Sequence, residues 1–253
     1  MKNLFNRRNF IKTAAVGTVA SISIPQIVSA AVGPAKGKKI SLEKDNRILF
    51  QGDSITDWGR DKTKNYPNDS GCLGSGYVLL AAGQLLKDHA DKNLKIYNKG
   101  ISGNKVFQLA DRWQDDCLIW KPDVLSIMVG VNDFWHTLTY GYKGTIEVYH
   151  DDFVKLLNRT REAVSNVKFI IGEPFAIKGV KAVDEKWYPA FDEYRKVALD
   201  VANQFDAPFI PYQAVFDKAI ESTPANYWTS DGVHPTLAGA ELMAHAWLET
   251  VKS

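Results

Sequence analysis

The sequence predicts an α/β protein, in which helices cover both faces of one parallel sheet. Short apolar or β-branched runs alternate along the chain with longer amphipathic segments, which is the pattern of successive β-α-β units. Polar, glycine-containing motifs follow the first three apolar runs, where a site forms outside the carboxyl ends of parallel strands. We therefore predict a three-layer α/β/α sandwich with right-handed crossovers and a five-stranded parallel sheet.

The predicted strands are compact apolar runs of the kind that is buried on both faces of a sheet. They are Arg47–Gln51, Leu94–Asn98, Val124–Val129, Lys168–Gly172 and Pro208–Pro211. The clearest predicted helices are Tyr77–Asp88, Ile146–Val164, Pro189–Gln204 and Leu237–Val251. No repeat or linker follows Asn46, so residues 47–253 are expected to form one domain.

The first thirty residues have the features of an export signal. Arg7 and Arg8 precede an uncharged stretch from Thr13 to Ile24, and a small-residue site follows at residues 28–30. Residues 6–12 are similar to a twin-arginine signal. The alternative is an uncleaved membrane anchor, but the apolar run is shorter than the roughly 20 residues that a spanning helix needs. We predict a signal over 1–30, a polar lead-in over 31–46, and a periplasmic or extracellular protein.

The charge balance argues against a polyanionic partner. The whole chain carries 31 basic and 29 acidic side chains, but four of the basic ones lie in residues 1–30, which hold no acidic residue. The remaining chain therefore has 27 basic and 29 acidic side chains, a net charge of −2. Without a basic patch or run, neither nucleic acid nor an anionic membrane surface is an expected partner, and stable membrane insertion is not expected either.

Cys72 and Cys117 are the only two cysteines. An oxidising compartment would permit a disulfide between them, and two unpaired small residues are the alternative, which the sequence leaves open. Neither cysteine has a Cys or His neighbour at metal-ligand spacing. We therefore expect no metal and no cofactor.

Four short motifs carry groups that are suited to nucleophilic catalysis. Gly52-Asp53-Ser54-Ile55 follows the first strand, although Ser54 would also suit a helix N-cap. Residues 97–104 contain Gly100 after the second strand, and Asn132 lies in the Gly-Val-Asn-Asp run after the third; both segments are also plausible turns or loop exits. Residues 231–235, Asp-Gly-Val-His-Pro, place a carboxylate and an imidazole three residues apart, just before the last helix.

In this order the motifs resemble those of the SGNH or GDSL hydrolase superfamily, which is named after the Ser, Gly, Asn and His of its four blocks. Ser54, Gly100 and Asn132 match the first three blocks, and Asp231 with His234 matches the last. Ile55 in place of Leu is the only departure in the first block. Each motif alone is weak, but the ordered set is specific. The resemblance covers essentially the whole chain after the signal and implies the flavodoxin-like fold of that superfamily.

By this resemblance Ser54 attacks an ester carbonyl, His234 transfers the proton, and Asp231 orients the imidazole. The backbone N–H groups of Ser54 and Gly100, with the side-chain amide of Asn132, would form the oxyanion hole. Among the other histidines, His136 follows Asn132 closely enough to line the cleft, although a loop histidine without a catalytic role is the favoured interpretation.

Aromatic residues in the loops near the expected site point to a carbohydrate substrate. Trp58, Trp135 and Trp228 offer flat apolar faces that suit sugar rings, with simple packing as the alternative. Asp57-Trp58 and residues 173–175, Glu-Pro-Phe, are similar to bacterial carbohydrate acetylesterases of the superfamily, which implies removal of O-acetyl groups from polysaccharide or oligosaccharide. The alternatives are a lipid or thioester acylhydrolase with the same mechanism, and a catalytically silent carbohydrate-binding protein.

Overall fold

The structure is a computed structural model that describes residues 23–32 and 39–252. The predicted twin-arginine motif and most of the apolar stretch after it lie outside the described residues.

Five parallel strands form one sheet in the order β2-β1-β3-β4-β5. The strands are β1 Arg47–Gly52, β2 Lys95–Asn98, β3 Val124–Met128, β4 Lys168–Gly172 and β5 Phe209–Ile210. Every residue of β3, the central strand, is buried, as its mainly apolar sequence predicts; its one polar residue is Ser126. The predicted α/β fold and its five strands are confirmed; β1 is one residue longer than predicted, β2 and β3 are one residue shorter, and β5 is two residues shorter.

Twelve α-helices are found in the described part of the chain. They are α1 Ile24–Val32, α2 Ser54–Asp57, α3 Ser70–Leu73, α4 Tyr77–Asp88, α5 Val106–Asp111, α6 Trp113–Asp116, α7 Val131–Thr139, α8 Ile146–Ala163, α9 Ala190–Gln204, α10 Tyr212–Ile220, α11 Ala225–Trp228 and α12 Leu237–Leu248. Short 3₁₀ turns span Ala90–Lys92, Leu118–Trp120 and Glu185–Trp187.

The helices pack in two groups. Helices α4 and α10 contact α12, whereas α5 and α9 contact α8. On the α12 side, the Trp247 ring lies 4.9 Å from Phe50 of β1, and its indole N–H donates to Ser126 Oγ of β3 at 2.9 Å. On the α8 side, the indole of Trp113 donates to Thr160 at 2.9 Å. These hydrogen bonds satisfy the polar atoms of two fully buried indoles.

Two helices that matter for the site were missed in the sequence. Helix α7 begins directly after Gly130, in a stretch interpreted as a loop exit, and it contains His136, which was expected in a loop. Helix α10 follows β5 without a recognisable start signal. The last predicted helix ends at Leu248 instead of Val251, because Val251 pairs with Ile40 in an isolated bridge.

Helix α1 overlaps the predicted export signal. Ile27 and Val28 are buried, and the helix contacts α10 and α12. The small-residue site at residues 28–30 therefore lies within a helix that is packed on the core in the full chain. No helix among the described residues is both long enough and apolar enough to cross a membrane.

Both cysteine thiols are free. Cys72 in α3 and Cys117 after α6 are buried and form no disulfide, so that alternative is wrong. Burial raises the pKa of the Cys117 thiol and keeps it protonated. Each cysteine therefore acts as a small apolar residue in the fold.

Candidate active site

Ser54 is the first residue of α2 and lies at the carboxyl end of β1. The preceding residue, Asp53, caps the helix, because its side chain accepts a hydrogen bond from the Ile55 N–H at 3.0 Å. The alternative role of Ser54 as the N-cap is therefore wrong. Its hydroxyl instead lies 2.8 Å from Nε2 of His234.

Asp231 and His234 occupy one tight turn before α12. Nδ1 of His234 lies 2.7 Å from Oδ2 of Asp231. The other carboxylate oxygen accepts backbone N–H bonds from Val233 at 2.9 Å and from His234 at 2.7 Å. Because the carboxylate can only accept, the ring proton belongs on Nδ1, and Nε2 is left to accept from the hydroxyl of Ser54.

The pair is polarised for proton transfer. Burial favours the neutral carboxyl of Asp231, but hydrogen bonds from the ring and backbone of His234 and from Val233 outweigh it and lower the pKa to about 2. The same hydrogen bond raises the pKa of His234 above its ordinary value. The Asp231 carboxylate is therefore ionised throughout the pH range in which the His234 imidazole titrates.

Gly100 does not have the environment of an oxyanion donor. Its backbone N–H donates to Oδ1 of Asn98 at 2.9 Å, so the predicted use of this N–H in the oxyanion hole is wrong. A Cβ at Gly100 would lie 2.4 Å from the backbone N of Asp57 and 2.8 Å from the carbonyl carbon of Thr56. The glycine is needed because its loop packs directly against the backbone of α2.

Gly103, three residues later, is the second glycine of the same loop. Its backbone is in the left-handed region at φ 81° and is partly exposed. Its N–H donates to no other group within the described residues. The neighbouring residue, Asn104, accepts a hydrogen bond from the side chain of Asn132, so this part of the loop lies beside the Asn132 amide.

Three charged side chains hold this loop in place, and of these the sequence analysis singled out only Asp57, without this role. Asp57 accepts from the backbone N–H and the hydroxyl of Ser102. Arg60 donates to the carbonyl of Gly100 at 2.8 Å, and Arg112 donates to Oδ1 of Asn104 at 2.9 Å. No local sequence pattern marks the two arginines, because their partners are backbone and amide oxygens 40 and 8 residues away along the chain.

Asn132 lies in the first turn of α7. Gly130 precedes the helix with φ 131°, a conformation that side chains rarely allow, and a Cβ there would lie 2.6 Å from the hydroxyl of Tyr149. This turn directs Nδ2 of Asn132 to the carbonyl of Asn104 at 3.2 Å. The amide carries two N–H bonds, so one remains for a ligand.

The three predicted substrate-binding tryptophans lie in different environments. Trp58 and Trp135 are half-buried, and their rings lie 6.0 Å and 6.3 Å from the His234 ring. Trp228 is only 5% exposed and belongs to the apolar core, a position that suits packing instead of contact with a ligand. Two half-buried tryptophan rings therefore lie near the imidazole.

The arrangement joins a hydroxyl, an imidazole and a half-buried carboxylate in one hydrogen-bonded line. An imidazole so placed can take the proton of a hydroxyl that attacks a carbonyl carbon.

Residues 50–242 match the model of the GDSL-like lipase/acylhydrolase family. The chain is 32% identical over 209 residues to an acetylxylan esterase from Geobacillus stearothermophilus, covering 81% of this chain and 93% of the relative. A solved structure of a candidate GDSL-like lipase from Parabacteroides merdae is 54% identical, with a TM-score of 0.83, and covers 84% of this chain and 98% of its own.

A solved structure of an acetylxylan esterase from Geobacillus stearothermophilus is 30% identical, with a TM-score of 0.75, and covers 85% of this chain and all of its own. Variants of that enzyme in which a serine, an aspartate or a histidine is replaced by alanine are described as catalytic mutants. By the extent of the family match and the identity to these relatives, the chain belongs to the GDSL-like lipase/acylhydrolase family and is a carboxylic-ester hydrolase.

Proposed function

We propose that the protein is an exported serine esterase that removes O-acetyl groups from carbohydrate, with Ser54 as nucleophile, His234 as general base and acid, and Asp231 as the orienting carboxylate. The observation that carries this proposal is the line of two short hydrogen bonds, 2.8 Å from Ser54 Oγ to His234 Nε2 and 2.7 Å from His234 Nδ1 to Asp231 Oδ2. The catalytic mutants described for the Geobacillus enzyme involve the same three residue types.

In this mechanism Nε2 of His234 takes the proton of Ser54 as Oγ attacks the ester carbonyl. The imidazolium then returns the proton to the leaving sugar alcohol, and an acyl-enzyme remains. A water molecule, deprotonated by the same imidazole, hydrolyses the acyl-enzyme and restores the serine. Asp231 stays ionised throughout and stabilises the imidazolium.

The tetrahedral oxyanion needs donors that point outward from the protein. We assign this role to the N–H of Ser54 at the start of α2, to the second N–H of the Asn132 amide, and to the free N–H of Gly103 in place of the engaged N–H of Gly100. Loss of one such donor typically costs about 3 kcal/mol of transition-state stabilisation.

The substrate assignment rests on Trp58 and Trp135, whose half-buried rings lie near the imidazole and suit contact with a sugar ring, and on the similarity to the acetylxylan esterase. A lipid or thioester acylhydrolase would use the same catalytic groups. The preference for short or long acyl chains distinguishes it from a carbohydrate acetylesterase. A silent binding protein is disfavoured by the close contact between Ser54 and His234.

The first test is Ser54→Ala. It removes the nucleophile without removing buried apolar area, so hydrolysis of nitrophenyl acetate should be abolished while the melting temperature is retained. Turnover equal to that of the wild-type enzyme, with contamination excluded, would refute the mechanism.

The second test is acyl preference, because each buried methylene contributes about 0.8 kcal/mol. A site with an acyl tunnel would favour decanoyl over acetyl esters by several orders of magnitude. We expect a higher kcat/KM for nitrophenyl acetate than for the decanoate, together with acetate release from acetylated xylan or pectin. Preference for decanoate with no acetate from any glycan would support the lipid alternative.

Export is tested separately through Arg7 and Arg8. If the signal uses the twin-arginine route, replacing both arginines with lysine should leave precursor in the cytoplasm. Normal delivery of that double variant would indicate the general secretory route instead.

A further inference from the structure

A lysine close to the proposed site has no acidic partner. Nζ of Lys105 lies 3.0 Å from Nδ1 of His136, and no carboxylate lies within 4 Å of Nζ in the described part of the chain. The rings of Phe107 and Tyr142 lie 5.6 Å and 5.1 Å from Nζ, while Asp133 attracts the ammonium group only at longer range. Lys105 is only 8% exposed, and lysines so well covered are usually paired with an acid.

Two connections place this lysine beside the oxyanion donors. Lys105 directly follows Asn104, whose carbonyl accepts the hydrogen bond from Asn132. His136 follows Asn132 by four residues on α7, so it lies on the same helix face, about 6 Å further along the axis. Lys105 and His136 therefore adjoin the two segments that carry Asn104 and Asn132.

Together, the two side chains present donors only. An ammonium group cannot accept a hydrogen bond, so Lys105 donates to Nδ1 of His136, and the ring proton must lie on Nε2. Burial and the charge of Lys105 lower the pKa of His136 and keep the ring neutral in this arrangement. A sugar hydroxyl both donates and accepts, whereas an oxyanion only accepts, so this donor set is better suited to an anion.

The surroundings strengthen that preference. Phe107 and Tyr142 stack with their centroids 5.8 Å apart and cover the ammonium group, which reduces its contact with water. The attraction between opposite charges is larger where water is excluded. His136 is half-buried and Phe107, which covers Lys105, is 36% exposed. Lys105 and His136 therefore lie at the rim of the domain and not in its core.

We propose that Lys105 and His136 form an anion subsite for a negatively charged group on the sugar chain that carries the ester. The group is a uronate carboxylate or a sulfate ester, both of which offer acceptor-only oxygens to the two N–H donors. This inference rests on the proposed carbohydrate esterase function and gives it a substrate class, acidic polysaccharides.

Binding is measured first, on the whole wild-type protein. The ligands are methyl glucuronide, a sulfated methyl xyloside and uncharged methyl xyloside, none of which carries an ester, so the titration does not depend on hydrolysis. We expect one charged glycoside to bind about fivefold or more tightly than the uncharged one, and its identity distinguishes carboxylate from sulfate. Equal binding of all three glycosides would overturn the anion subsite.

The matched variants are Lys105→Met and Lys143→Met. Both remove one positive charge, but Lys143 is exposed and follows Tyr142 in the chain. We expect Lys105→Met to lower the ratio of kcat/KM for charged over neutral acetylated oligosaccharides by about tenfold, and Lys143→Met to leave the ratio unchanged. An equal fall in both variants would indicate a general charge effect and overturn the subsite. Retained uronide binding without acetate release from any glycan would overturn the proposed function alone.

Discussion

The carboxylate of Asp57 ties the loop of Gly100 and Gly103 to the helix of Ser54, because its Oδ2 accepts from the Ser102 N–H at 3.0 Å and from the Ser102 hydroxyl at 2.7 Å. Asp57 is the last residue of α2, and its side chain is 1% exposed. The proposed nucleophile and the proposed oxyanion loop are thus joined by one buried side chain.

Asp57→Ala should therefore act on catalysis through position. We expect kcat to fall about tenfold or more with a smaller change in KM, since a loosened loop misplaces donors that act mainly in the transition state. Lys62→Ala is the control, because Lys62 pairs with the same carboxylate but is 46% exposed, and such pairs contribute about 0–1 kcal/mol. Steady-state kinetics in which both variants match the wild type would contradict the positioning role.

The close approach at Gly100 leads to a second expectation. Gly100→Ala should destabilise the protein and reduce activity, because its Cβ would lie 2.4 Å from the backbone N of Asp57. Gly83→Ala is the opposite case: Gly83 is an exposed residue inside α4, and an added Cβ there would meet nothing within 4 Å. Helix propensity predicts a gain of about 0.5–1 kcal/mol. Urea unfolding of the two variants measures whether Gly100→Ala lowers the free energy of unfolding and Gly83→Ala raises it.

The pH profile should have an acid limb set by His234. A general base must be neutral, and the hydrogen bond that Nδ1–H of His234 donates to Asp231 raises the pKa of His234 above 6.5. Activity is therefore full above that pKa and is lost as the pH falls through it, about tenfold per pH unit in kcat/KM. An acid limb with its midpoint well below 6.5 would contradict this assignment.

Asp231→Asn and His234→Ala should differ in severity. The asparagine variant keeps the base but loses its orienting charge, so kcat should fall less than in His234→Ala. Removal of the carboxylate also removes the first cause of the raised pKa of His234, so the acid limb of Asp231→Asn should move to lower pH. An equal fall in kcat for both variants, with the acid limb of Asp231→Asn at the same pH as that of the wild type, would contradict the orienting role of Asp231.

Helix α1 should stabilise the full chain. Ile27 is 1% exposed, and Ile27→Ala in a core environment is expected to cost about 2 kcal/mol or more. Ser29→Ala, at an exposed position of the same helix, should change little. Equal unfolding midpoints for the two variants would show that α1 does not pack as described. The mass of the exported protein would show whether the chain is cut after Ala30.

Much of the architecture follows from local sequence. The mainly apolar run of β3, interrupted only by Ser126, identifies a strand that is buried on both faces, and the alternation of such runs with amphipathic helices predicts the three layers. The Asp231–His234 contact is also local, because one tight turn brings residues three positions apart together. Ser54 could be named from its motif for the same reason: the strand-to-helix turn that exposes it is encoded within a few residues.

What the sequence could not determine depends on contacts between distant segments. Ser54 and His234 are 180 residues apart, and their 2.8 Å contact exists only because β1 and the turn before α12 meet at one edge of the sheet. The burial of Trp228 and the pairing of Lys105 with His136 were likewise decided by packing. A side chain's partners and exposure depend on which segments the fold brings beside it, and short motifs do not contain that information.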